Sequence, residues 1–215
     1  MYEYSLEDDN YQQQLVSLRR NASEWLEVQR ILVPHSYYIV SEETDNIINE
    51  LACAPLCDSR VLLGNGGNTL YVFDVNEAHT LSDAGNVTLG SEFWGVACTR
   101  RGNDTLVAFS HRSTVSLHRL ASLPLRLETL ASVNLIDPWH LLFRGDLLLV
   151  ADWNWEIKTN AIVSFRAADN ALTERRVLLG AQTGVHVRVW DLAGERLVLV
   201  TPNEFLVYDF TSNGV

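Results

Sequence analysis

Asp146-Leu147-Leu148-Leu149-Val150-Ala151-Asp152, then Asn160-Ala161-Ile162-Val163-Ser164-Phe165, then Arg175-Arg176-Val177-Leu178-Leu179: within this stretch the chain passes three times through a short apolar run and leaves it through polar residues. Runs of four to eight apolar, often β-branched residues bounded by turn formers read as β-strands. Leu147 to Val150 shows no polar alternation, which suits a strand covered on both faces. A helix would need apolar spacings of three and four over a longer segment. The only candidate is 12–30, and Asn21-Ala22-Ser23 interrupts it. That candidate also matches a later strand pair. Leu15 to Asn21 leads into Trp25 to Leu32 much as Ile162 to Arg166 leads into Leu172 to Leu179. We read both as strand, polar turn, strand.

The same order recurs elsewhere. Thr105 to Phe109, Thr114 to His118 and Leu127 to Leu135 form one unit; Arg60 to Gly64, Thr69 to Phe73 and Asn86 to Leu89 form another. A last unit begins with Arg196 to Val200 and Glu204 to Tyr208. The equivalent third-strand positions are Leu15, Leu70, Val115, Ile162 and Leu206, separated by 55, 45, 47 and 44 residues. A period in the mid-forties with several strands per unit is the pattern of β-propeller blades. The expectation is an all-β fold, a β-propeller of about five four-stranded blades, in one domain over 1–215. Residues 1–32 would end a partial first blade, 33–59 would be irregular with a hairpin from Tyr38 to Leu51, and 60–210 would form regular blades. Both ends of the chain carry a third strand, so the ring is expected to be incomplete or irregularly closed, and open blade edges would favour self-association.

Leu148 to Asn154 followed by Ala161 to Phe165 resembles the blade pattern of NHL-type and lactonase-like six-bladed propellers, as does Tyr38 to Glu42 followed by Asn46 to Leu51. Val187-Arg188-Val189-Trp190-Asp191-Leu192 resembles the Trp-Asp strand of WD repeats. It falls 25 residues after Ile162 and 19 before Leu206, half a period out of phase, and so is expected to open the last blade instead.

In lactonase-like propellers, acidic and amide side chains in the connecting loops converge on a central metal. The resemblance puts Asp152 and Asn154 at such positions, with Asn65 and Asn203 as weaker counterparts in other blades. Calcium requires six to eight oxygens, and this set offers one carboxylate. We therefore expect no cofactor, with calcium as the metal these residues would hold if one were present. Read as a surface position, Asp152→Ala should cost no more than about 0.5 kcal/mol. Trp153 and Trp155, flanked by polar residues, are expected to face a protein partner; Trp94, Trp139 and Trp190 are expected to pack between blades. Gly64-Asn65-Gly66-Gly67-Asn68 precedes a strand rather than a helix, so it is a turn and not a phosphate loop. No Gly-x-Ser-x-Gly elbow is present, and no histidine pair has helical zinc-ligand spacing.

The charge balance, 16 basic against 27 acidic residues for a net −11, repels phosphate backbones and argues against nucleic-acid binding. No run of 18 apolar residues suggests a membrane span. Cys53, Cys57 and Cys98 are too few for a disulfide framework and are expected to be ordinary thiols. Met1 to Asn10 has neither a basic start nor an apolar core, which suggests a cytoplasmic protein. Asn21-Ala22-Ser23, Asn86-Val87-Thr88 and Asn103-Asp104-Thr105 match the glycosylation acceptor pattern, and in a cytoplasmic protein they would be chance matches. The functional expectation is a non-catalytic scaffold for protein or ligand binding. The alternatives are a metal-dependent hydrolase or lactonase, and a partial copy of a larger propeller protein.

Overall fold

In the computed structural model the described residues are 14–21, 24–32, 53–57, 59–64, 67–154, 156–157, 159–168, 170–183, 189–193, 196–200 and 205–209. Their regular elements are all strands, arranged in five antiparallel sheets. The first sheet pairs β1 (Gln14–Asn21) with β2 (Glu24–Leu32). The second runs in the order β3 (Cys53–Cys57), β4 (Arg60–Gly64), β5 (Thr69–Val75), β6 (Leu81–Thr88). The third contains β7 (Gly95–Arg101), β8 (Asp104–Ser110), β9 (Thr114–Ser122) and β10 (Leu125–Asn134), and the fourth β11 (Pro138–Arg144), β12 (Leu147–Asn154), β13 (Thr159–Ala168) and β14 (Ala171–Thr183). The fifth holds β15 (Val189–Ala193), β16 (Arg196–Val200) and β17 (Phe205–Asp209). Every strand pairs with its neighbour in sequence, so each sheet is a simple meander.

The expected phase holds at four of its five positions. Leu70, Val115, Ile162 and Leu206 lie on β5, β9, β13 and β17, each the third strand of its sheet. Leu15 lies on β1, paired with β2, so the helix candidate is indeed two strands. The Trp190-Asp191 segment opens the last sheet as β15. The sequence pattern did not reveal β3, which falls within the stretch 33–59 expected to be irregular, nor β7 and β11, whose apolar runs are shortened by Gly95 and Pro138 at their starts and by arginines at their ends. Residues 33–52, with the Tyr38 to Leu51 hairpin, lie outside the described residues.

The chain forms two compact units, Met1–Glu92 and Phe93–Val215. In the first, Leu63, Tyr71, Phe73 and Leu81 make a core joined by Ile31 from β2. Gln29 fastens β2 to β6: its Oε1 accepts the Leu81 N–H at 2.6 Å and its Nε2 donates to the Leu81 carbonyl at 3.1 Å. In the second, Ala108 and Val115 of the third sheet pack against Leu148, Val150, Val163 and Phe165 of the fourth. Middle strands are apolar because both faces are covered: Leu148, Leu149 and Val150 are all fully buried, each such side chain contributing about 1.5–3 kcal/mol. The outer strand β10 alternates between exposed and half-buried positions. Thr99 Oγ1 donates to the Gly145 carbonyl at 3.2 Å and Arg101 Nη1 to the Ala167 carbonyl at 3.2 Å, tying the hairpin ends of the third and fourth sheets together.

Cys98 is disulfide-bonded. That corrects the expectation of three ordinary thiols. Among the described residues no helix is long and apolar enough to cross a membrane.

Candidate functional site

The connections β8–β9, β10–β11 and β12–β13 meet at one end of the third and fourth sheets. Each is pinned by hydrogen bonds. The Leu135 N–H donates to the Ser113 carbonyl at 3.0 Å, linking the first two connections. Asp152, near the end of β12, accepts the N–H groups of Ile136 (3.0 Å) and Asp137 (2.9 Å) on one carboxylate oxygen. The Trp153 N–H donates back to the Asp137 carbonyl at 3.0 Å. Asn154 Oδ1 accepts from Glu156 N–H at 3.0 Å, a local turn closure that Asn side chains favour.

At the same end the opening strands β7 and β11 approach closely. Ser110 Oγ donates to the Trp139 carbonyl at 3.0 Å, and the Trp94 and Trp139 rings lie 5.8 Å apart at a 34° tilt. Trp94 immediately precedes β7 and Trp139 is the second residue of β11; both are half-buried. Gly95 makes the approach possible: a Cβ there would sit 2.5 Å from the Trp139 carbonyl oxygen and 2.8 Å from Ser110 Oγ. Over this frame Ile136 and Ile157 stand 57% and 61% exposed.

A second polar group lies on β9 and its entry. Ser116 Oγ is 2.8 Å from His111 Nε2 and 2.9 Å from His118 Nε2, and His118 Nδ1 is 3.2 Å from Thr129 Oγ1. One hydroxyl proton can serve only one imidazole, so the other imidazole must donate its N–H to Ser116. Phe109, fully buried, meets His118 edge-on at 5.3 Å. Burial first, and the neighbouring His111 second, push the His118 pKa down to about 4. Two imidazoles around a buried hydroxyl can fix proton positions within the sheet. The sequence reading passed over this group because it tested histidines only at helical spacing. The available signal was a Ser and a His two apart on one strand face.

The residues expected from sequence fall out differently. Asp152 is only 7% exposed, so it is no surface position. Burial raises its pKa, against the lowering effect of the Asp137 and Ile136 amides. Trp153 is 6% exposed, buried in its own sheet, because residue 153 sits where β12 is covered on both faces. The expectation of an exposed Trp153 therefore fails. The structure brings Asp152 and Asn154 to the same strand end, where Oδ1 of each accepts from backbone amides. Asn65, Asn203 and Trp155 lie outside the described residues. Among the described residues no group of three or more His, Cys, Asp or Glu side chains could hold a metal.

No protein-family model and no curated protein matches the chain in sequence. Solved structures do match. One is a protein from Lactobacillus plantarum, 14% identical, with a TM-score of 0.57 over 99% of this chain and 78% of that one. Another is a Bacteroides fragilis protein assigned as a candidate 6-phosphogluconolactonase, 13% identical, with a TM-score of 0.63 over 98% of this chain and 66% of that one. The fold is a β-propeller fold. The sheets are its blades, and the pinned loops lie at one end of the blades in the second unit. A hydrazine synthase from Kuenenia stuttgartiensis shares it too, at 14% identity and a TM-score of 0.51, covering 75% of this chain and 48% of that one. Chemically unrelated proteins thus use the same blades, and the likeness carries architecture alone.

Proposed function

We propose that the chain is a non-catalytic binding scaffold whose protein partner seats on the loop end of the blades in residues 93–215. The supporting observation is the contrast at that end. Asp152 and Asn154 hold loops through backbone amides, while Ile136 and Ile157 are turned outward at 57% and 61% exposure. Rigid blades that carry loops with exposed apolar residues suit recognition. The test compares the intact protein with an Ile136→Asp/Ile157→Asp double variant of equal melting temperature in quantitative capture from source-cell extract. The scaffold reading expects partners enriched by the intact protein and lost with the variant. Identical capture by both would sink it.

The second reading, a metal-dependent lactonase, draws on the Bacteroides fragilis fold neighbour. Asp152 and Asn154 each hold a loop through one oxygen, and among the described residues no cluster of three or more His, Cys, Asp or Glu side chains stands ready for a metal, which weighs against it. Lactone hydrolysis measured with and without added calcium separates the readings. Calcium-dependent turnover above background would move the enzyme to first place. A cytoplasmic setting is not part of this proposal, because disulfides persist chiefly in oxidising compartments and Cys98 is disulfide-bonded.

A further inference from the structure

Two of the three Asn-x-Ser/Thr sequences fall on described residues, and both place their asparagine in solvent. Asn103 is the second residue of the two-residue β7–β8 turn. It follows Gly102 at φ +59°, and Gly102, Asn103 and Asp104 are all exposed. A chain segment at a hairpin tip leaves room for a bulky substituent. Asn86 and Thr88 are exposed on β6, the strand that ends the order of its sheet. A third observation is independent of both. The disulfide-bonded Cys98 lies on β7, and a stable disulfide belongs to an oxidising lumen or to the cell exterior. That is the compartment in which asparagine-linked glycans are attached, on surface loops of secreted chains.

We propose that Asn103 and Asn86 are acceptors for asparagine-linked glycans. The co-reactant is a lipid-diphosphate-linked oligosaccharide. The side-chain amide nitrogen attacks the anomeric carbon of the first sugar; the N–C bond forms and the C–O bond to phosphate breaks. The lipid diphosphate leaves and the amide gives up one proton. Thr105 is buried in the folded sheet, so its hydroxyl is available to the transferase only before β8 pairs, which sets the transfer before folding.

The experiment uses the protein isolated from its native source. Enzymatic release of glycans in heavy-oxygen water converts each occupied asparagine to a labelled aspartate. Trypsin then yields peptides 102–112 and 61–100, which carry Asn103 and Asn86 separately. The expected result is labelled aspartate in both peptides, with Cys98 alkylated only after reduction. Unlabelled, unmodified asparagine in both peptides overturns the proposal. A Cys98 thiol that alkylates without reduction overturns it too, because the compartment would then be reducing. Asn103→Gln and Asn86→Gln, at exposed positions that leave the blades intact, should each remove one step of the electrophoretic shift in the same cells. An unchanged shift in both counts against the assignment.

Discussion

His118 and Asp152 have pKa values moved by the same cause, and the consequences run in opposite directions. Burial lowers the pKa of His118 to about 4 from an ordinary 6.5. Below pH 6.5 the unfolded chain takes up a proton that the folded chain refuses, so stability falls as pH drops through the window from 6.5 to 4. Between pH 7 and 5 the loss from this one group should be roughly 2 kcal/mol. Denaturant unfolding at the two pH values checks it, with His118→Gln as the control that flattens this part of the curve. Parallel curves for the two proteins would contradict the assignment. At Asp152 burial raises the pKa, so the charged form is the costly one at neutral pH. Asp152→Ala removes the charged acceptor of two part-buried amides and should cost about 1–3 kcal/mol. Asp152→Asn keeps an accepting oxygen, sheds the charge, and should cost far less. Equal losses for both variants would show that the charge, not the acceptor, holds the loop. None of this was legible in the sequence. Asp152 could be placed at a strand end from its neighbours, but whether its oxygen meets a metal or two amides depends on how the β10–β11 connection returns. Trp153 was misplaced for a related reason: polar flanks at 152 and 154 suggested exposure, whereas those polar groups are themselves buried or engaged.

At the scale of the strand the sequence was far more informative, because burial on both faces writes itself as an unbroken apolar run. Leu147 to Val150 and Leu197 to Val200 declared β12 and β16 directly, and their recurrence set the blade period. The opening strands carried no such mark. β7 and β11 pack on one another at Gly95, Trp94 and Trp139, where contact is made by a missing side chain and by aromatic edges instead of an apolar run. Gly95→Ala tests that contact. Its Cβ would sit 2.5 Å from a backbone carbonyl oxygen that cannot rotate away, so the sheets must separate locally. The expected cost is about 1–3 kcal/mol, as for overpacking in a core. Thermal unfolding of the variant measures it, and near-UV circular dichroism should show the Trp94–Trp139 signal weakened. A wild-type melting curve would mean that the two strands are less tightly joined than the structure has them.

Across the whole molecule the charge is unevenly shared. Residues 1–92 carry 15 Asp and Glu against four Arg, while 93–215 carry 12 of each sign. The net −11 therefore belongs entirely to the first unit. In the second, Arg119 reaches Asp104 and Glu128, and Arg166 reaches Asp146 and Glu174, at 3.1–3.6 Å. Such half-exposed pairs are worth about 0–1 kcal/mol each and weaken with salt. In the first unit the excess of 15 acidic over four basic residues makes net repulsion the expected effect of charge, which salt relieves. The screening length shortens from about 30 Å at 0.01 M salt to about 8 Å at 0.15 M. Added salt should thus protect the first unit and leave the second unchanged or slightly less protected. Hydrogen exchange resolves them, since amide protection reports local opening segment by segment. Amides of β5 and β6 should slow at the higher ionic strength, whereas those of β8, β9, β12 and β13 should hold steady or quicken. Uniform slowing across all six strands would mean that salt acts on the fold as a whole rather than through the charge carried by residues 1–92.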